Sequence, residues 1–188
     1  MSVFSLLKEI ETVLETEFGE IPDGLVGPVR SEDKKKLISS LGRGLPEQLE
    51  ELLNIHNGES QAAGIRLLEA GWLLPAETIG EDYQARLANA SRERLLDIVD
   101  SANFRAFGPV YCSLWRSGWI PFMEVGKDPW VIDLDPYNGA VGQVVSVQVE
   151  NCVVMVEANS IEDMLSRYLI SLKSGVREFL AAFDARFE

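Results

Sequence analysis

Four short runs rich in β-branched and aromatic residues follow one another in the second half of the chain. They are Trp119-Ile-Pro-Phe-Met, Trp130-Val-Ile-Asp-Leu, Gly142-Gln-Val-Val-Ser-Val-Gln-Val and Cys152-Val-Val-Met-Val. Between them lie only Gly126-Lys-Asp-Pro129, Pro136-Tyr-Asn-Gly139 and Glu150-Asn151. Such runs bounded by turn residues read as strands. Connections this short cannot hold the dozen-residue crossover that parallel neighbours need, so the strands must run antiparallel. A β-meander is therefore the fixed point around which the remaining chain has to fold.

What flanks the meander has helical spacing. Phe4, Leu7, Ile10, Leu14 and Phe18 recur in steps of three and four, which predicts an N-terminal helix. Ile21 to Pro28 breaks the pattern and reads as a loop. Ser31, with Glu32 and Asp33 behind it, is expected to cap a second helix that stops at Gly42-Arg43-Gly44. Pro46 opens a third, whose face is Leu49, Leu52, Leu53 and His56 and whose C-cap is Asn57-Gly58. Residues 65–74 read as extended or, alternatively, as a short helical turn. Glu77 to about Asp100 reads as a polar helix with Leu87, Arg94, Leu95 and Ile98 on one stripe. Ser160-Ile-Glu-Asp163 has the form of a capping box and starts a helix buried through Met164, Leu165, Tyr168, Leu169 and Leu172. A last helical piece is expected over 176–187.

The fold class that follows is α+β, a single domain with a central antiparallel β-meander flanked by N-terminal and C-terminal helices. Residues 1–30 form a helix and loop packed on the domain, 31–173 the domain itself, and 174–188 a C-terminal helical extension.

Charge and residue usage restrict the chemistry. The 188 residues hold 30 Asp and Glu against 17 Lys and Arg, a formal net charge of −13. A nucleic-acid binder needs a basic footprint, so nucleic acid is not an expected partner. No apolar run approaches the roughly 20 residues that cross a bilayer, and no membrane partner is expected. The acidic N-terminal stretch does not resemble a signal peptide, which makes the cytoplasm the expected location. His56 is the only histidine. Without a second one, and without a phosphate-binding or nucleophile motif, no enzymatic activity and no cofactor are expected. Cys112 and Cys152 stand in apolar neighbourhoods without metal-ligand spacing and read as buried free thiols.

Three stretches taken together resemble the SUKH superfamily. Leu45-Pro-Glu-Gln-Leu49 through His56-Asn-Gly58 is similar to its helix and cap. Trp115, then Trp119-Ile-Pro-Phe122, resembles its tryptophan–proline strand. Trp130-Val-Ile-Asp-Leu-Asp-Pro136, with Gly139 and Val141-Gly-Gln-Val-Val145, resembles its most characteristic hairpin. The resemblance covers about residues 31–173 and departs from the usual pattern in the loop Glu124–Pro129 and in the long stretch 78–100. It implies a non-enzymatic protein-binding module: an immunity protein that neutralises a cognate bacterial toxin, a nuclease for instance, or a Smi/Knr-like cytoplasmic scaffold or regulator without a toxin partner.

Five residues are the candidates for partner contact. An acidic chain meets a basic protein partner, such as a toxin domain with a basic cleft, through complementary charge. Glu124 and Asp128 in the turn region are the first choice, with Asp133 and Asp135 in support and Glu77, Glu81 and Asp82 as a weaker patch. Asp133 and Asp135 alternate, so on a strand they share a face. Such a pair can share a proton or hold a metal with Glu124 and Asp128; alternatively Asp135 opens a turn and Asp133 bonds nearby backbone. Trp115 is either an interface anchor or a core residue. His56 is expected to be a hydrogen-bonded structural imidazole rather than a ligand or base.

Overall fold

The computed structural model describes residues 1–20, 22–60, 66–68, 71–95 and 104–175, with side chains given for all of these except 92–95. Among the described residues five helices accompany six strands in chain order: α1 (Val3–Phe18), α2 (Ser31–Leu41), α3 (Glu47–Ile55), β1 (Trp72–Leu73), α4 (Ala76–Leu95), β2 (Arg105–Phe107), β3 (Trp119–Val125), β4 (Asp128–Asp133), β5 (Gln143–Gln148), β6 (Val153–Ala158) and α5 (Ile161–Lys173). The strands form one sheet in the order β1-β3-β4-β5-β6-β2. Its four central strands are the antiparallel meander that the short connections require. The α+β class and the flanking helices are as the sequence reading has them.

The sheet is covered on both faces. On one side Ile120, Phe122, Trp130, Ile132 and Val144 join a core with α1, α2, α3, α5 and the first half of α4. On the other, Trp115, Trp119, Val131, Val145, Val147 and Val154 pack with Ala90 and Phe104. Burial on both sides explains why the strands read as near-continuous apolar runs rather than as a clean alternation. Pro121 is accommodated in β3 because the pairing with β4 slips between Pro121 and Met123, a bulge that tolerates a missing N–H.

Several local expectations are corrected. The buried stripe of α1 is Val3, Leu6, Leu7, Ile10, Val13 and Leu14, while Phe4 is exposed. The face is turned by about one residue because α1 packs against both α5 and α3. Arg30, not Ser31, is the N-cap of α2, and no side chain caps its amides; the helix ends at Gly42 as expected. His56, in extended conformation, is the C-cap of α3. Asn57 is used elsewhere: its Oδ1 accepts from the Ala76 N–H at 2.9 Å and so starts α4. Only Trp72 and Leu73 of the segment 65–74 are strand; residues 61–65 and 69–70 lie outside the described residues. So do residues 96–100 of the expected polar helix and all of 176–187. β2, which pairs parallel with β6, has no counterpart in the sequence reading. Cys112 is exposed and Cys152 half-buried, both as free thiols. Val110 takes the inward place in that loop, leaving Cys112 turned outward with its thiol donating to the Phe104 carbonyl.

Candidate interaction surface

Glu124 and Asp128 belong to a tight hairpin, not to a loop. Val125 pairs with Asp128, so only Gly126 and Lys127 form the turn. Gly126 takes φ +65°, which suits a two-residue hairpin with glycine first. The two carboxylates are half-buried at the ends of β3 and β4. Burial pushes the Asp128 carboxyl above its ordinary value, and the nearby Glu150 adds to this, although the Val149 N–H and Arg86 pull the other way.

At the far end of β4 the second acidic pair separates. Asp133 is the last strand residue and wholly buried, whereas Asp135 lies beyond it with 61% of its side chain exposed. They do not share a face, because the strand ends between them. Asp133 Oδ1 accepts from the Asp135 N–H at 3.0 Å, and Oδ2 accepts from the Gln143 amide at 3.1 Å. The Asp133 carboxyl therefore shapes the start of the β4–β5 connection, the backbone-bonding alternative raised by the sequence. Burial raises its pKa despite those bonds. Asp135 instead receives the Arg116 guanidinium. That guanidinium lies 3.8 Å above the Tyr111 ring, and Tyr111 meets Tyr137 edge-on with centroids 5.3 Å apart.

Trp115 is 2% exposed. Its ring stands edge-on to Trp119 at 5.9 Å and receives Arg86 at 5.2 Å, so the fold itself occupies the faces that a partner would touch. Of the five residues singled out, Glu124 and Asp128 share the hairpin but point to opposite faces of it, since Glu124 stands opposite Pro129 and Asp128 opposite Val125. Asp133 and Asp135 come together, and Trp115 sits within the core beside Arg116. The two pairs are apart: five residue steps along β4 separate Asp128 from Asp133, about 17 Å at strand rise. No cluster of three or more His, Cys, Asp or Glu with metal-holding geometry occurs among the described residues. The weaker patch lies on α4. Glu77 and Glu81 line a groove of about 320 Å³ against α2, and Asp82 is paired with Arg86.

Two acids escape a sequence reading. Glu59 is 5% exposed and holds the Leu67 and Leu73 N–H groups at 2.8 and 3.0 Å. Glu11 of α1 reaches His56 Nε2 at 2.7 Å, which makes the lone histidine a tie between α1 and α3. Nothing local in the sequence marks either bond, since Glu11 and His56 are 45 residues apart. The alternating Tyr111, Arg116 and Tyr137 were equally silent, yet aromatic and arginine side chains are the enriched residues of protein interfaces.

Taken together, these residues belong to an α+β domain whose sheet is buried on both faces and whose carboxylates turn to backbone bonding or to solvent. The chain matches the SMI1 / KNR4 family (SUKH-1) over residues 28–167, well over half of its length, and belongs to that family. At the level of the family this makes it a protein-binding module of the immunity or regulator type. No curated protein matches the chain. Among the described residues no helix is long and apolar enough to cross a membrane.

Proposed function

We propose that this chain is a cytoplasmic immunity protein that neutralises a cognate bacterial toxin by binding it, without catalysis of its own. The observation that carries the reading is the net charge of −13 on a member of this family. A toxin acting on nucleic acid has a basic cleft, and an acidic protein meets such a cleft with complementary potential, fast association and exclusion of the substrate. Glu124 and Asp128 at the hairpin, and Asp135 at the opposite end of β4, are the proposed contacts from the candidate set. Asp133 and Trp115 act behind this surface, fixing the connection and the core. Residues 31–173 are taken as the binding domain, with 1–30 and 174–188 as its additions.

The test is co-expression with the toxin domain encoded beside it. Survival of the host and a complex on gel filtration are expected. Killing at equal expression with no complex overturns the reading.

A further inference from the structure

Two recesses meet at the start of α3, and they differ in chemistry. One, of about 290 Å³, runs between the N-terminal turns of α3 and α5 and the β4–β5 connection, over Ile132 and Ile161 with Leu134 and Val141 at its side. The other, of about 590 Å³, is bordered by Glu47, Glu50, Glu51 and Glu162. Glu47 and Gln48 line both, so an apolar arm and an acidic arm adjoin at the start of α3. Lys34 engages Glu50, and the Phe4 N–H donates to Glu51 at 3.2 Å. Glu47 and Glu162 have no ion pair among the described residues. Carboxylates in the first turn of a helix are favoured by its dipole, which accounts for Glu47 and Glu162 as helix residues. It does not account for Val141, an aliphatic side chain 73% exposed at the rim of the same recess.

We propose that this two-armed groove is the docking surface for a segment of the partner protein in which an aliphatic side chain adjoins a lysine or arginine. The aliphatic group covers Val141 and Leu134, and the cation lies between Glu47 and Glu162. Charge decides among occupants. A second copy would bring another chain of −13 against the acidic arm, and an acidic or purely polar segment leaves one arm unmatched. The inference rests on the partner-binding reading and goes further than it, since it places the anchoring segment at the Asp135 end of β4 and leaves the hairpin carboxylates to steer the encounter. The apolar arm supplies buried area and the acidic arm supplies orientation, the division of labour usual at interface cores and rims.

The experiment is an NMR titration of the ¹⁵N-labelled full chain with an acetylated peptide of alternating leucine and lysine. Peptides of alternating leucine and glutamate, and of serine and lysine, are the controls. Shifts confined to Gln48, Val141, Gly142 and Glu162 and specific to the leucine–lysine peptide are expected. The pair Glu47→Lys and Glu162→Lys should weaken that binding about tenfold, as the loss of two exposed charge contacts implies. Val141→Asp should remove it, while thermal melting shows both variants folded. Shifts at Gly126 and Lys127 instead, equal binding of all three peptides, or no shifts overturn the inference. Concentration-dependent shifts at the groove without peptide also overturn it, since a second copy would then be the occupant. In the toxin co-expression assay, groove variants that still protect the host refute the groove and leave the immunity reading standing. A chain that binds the peptide through the groove but never protects refutes the immunity reading alone.

Discussion

Asp133 and Gln143 face each other across β4 and β5, and the Gln143 amide donates both to Asp133 Oδ2 at 3.1 Å and to the Pro109 carbonyl at 3.0 Å. One buried side-chain pair thus ties the end of β4, the start of β5 and the segment before β3. Gly139 completes the junction, for a Cβ there would come within 2.7 Å of the Pro109 oxygen. The same junction holds Val141 and Leu134 in place for the groove.

Asp133→Asn tests this arrangement. The new amide oxygen can keep the Asp135 N–H, but its NH₂ then opposes the Gln143 NH₂. Turning the Gln143 amide over only moves the conflict to the Pro109 carbonyl. The expected loss is about 1–3 kcal/mol, the cost of one buried polar group without a partner. Urea unfolding measures it. Asp135→Asn, which removes an exposed ion pair, should cost less than about 1 kcal/mol. Equal losses for the two variants would mean that Asp133 has no special place.

Glu59 and Glu11 should give stability opposite dependences on pH. Burial pushes the Glu59 carboxyl above its ordinary 4.5, although two backbone N–H groups, Arg66 and His56 pull it down. Between the unfolded value and the raised folded one, the folded state binds more protons, so stability falls as pH rises through that interval and is level above it. Burial also pushes Glu11 upward, but Lys8 and His56 outweigh it and hold the carboxyl below 4.5. Its contribution is present above the unfolded value and is lost as pH falls through the folded one. Stability curves of Glu59→Gln and Glu11→Gln, each subtracted from that of the parent chain, should slope in opposite senses. Slopes of the same sign contradict one of the two assignments.

The pair Glu11–His56 should also be energetically coupled. Both side chains are largely buried, at 23% and 11% exposure, and their bond joins α1 to α3. A double-mutant cycle with Glu11→Ala and His56→Ala should return about 0.5–1.5 kcal/mol of interaction, by denaturant unfolding. Additive losses would mean that the Glu11–His56 bond has no part of its own in holding α1 to α3.

The meander was readable because β-branched runs and short turns leave one solution, and α5 because its cap and its stripe agree. The misses have a common cause in contacts made at a distance along the chain. β2 is three residues, Arg105–Phe107, two of them exposed, and gains its place only by pairing with β6 some fifty residues on. The same-face argument for Asp133 and Asp135 needed the strand to continue, but β4 ends at Asp133, whose own carboxylate takes the Asp135 N–H at 3.0 Å and turns the chain away. The loop expected at Glu124–Pro129 became a hairpin because β3 and β4 pair up to Val125 and Asp128. The groove was invisible for the same reason: Glu47, Val141 and Glu162 come from three elements.

Association with a basic partner should respond to salt through its rate of formation. Exposed charges are screened over about 10 Å at 0.1 M salt and about 3 Å at 1 M. Steering is then lost, so the on-rate falls steeply while the off-rate, set by short-range contacts, changes less. Stopped-flow mixing with the toxin domain proposed as the partner, at several salt concentrations, reads both. Replacing Glu124 with Gln and Asp128 with Asn should reproduce part of the fall and leave the melting temperature nearly unchanged, because both groups sit at a hairpin rim. Trp119→Ala provides the contrast. Its ring is fully buried, so the substitution should cost about 3–5 kcal/mol of stability and lower binding through unfolding rather than through the on-rate. An on-rate indifferent to salt would remove the acidic surface from the encounter and leave the charge of −13 as a matter of solubility.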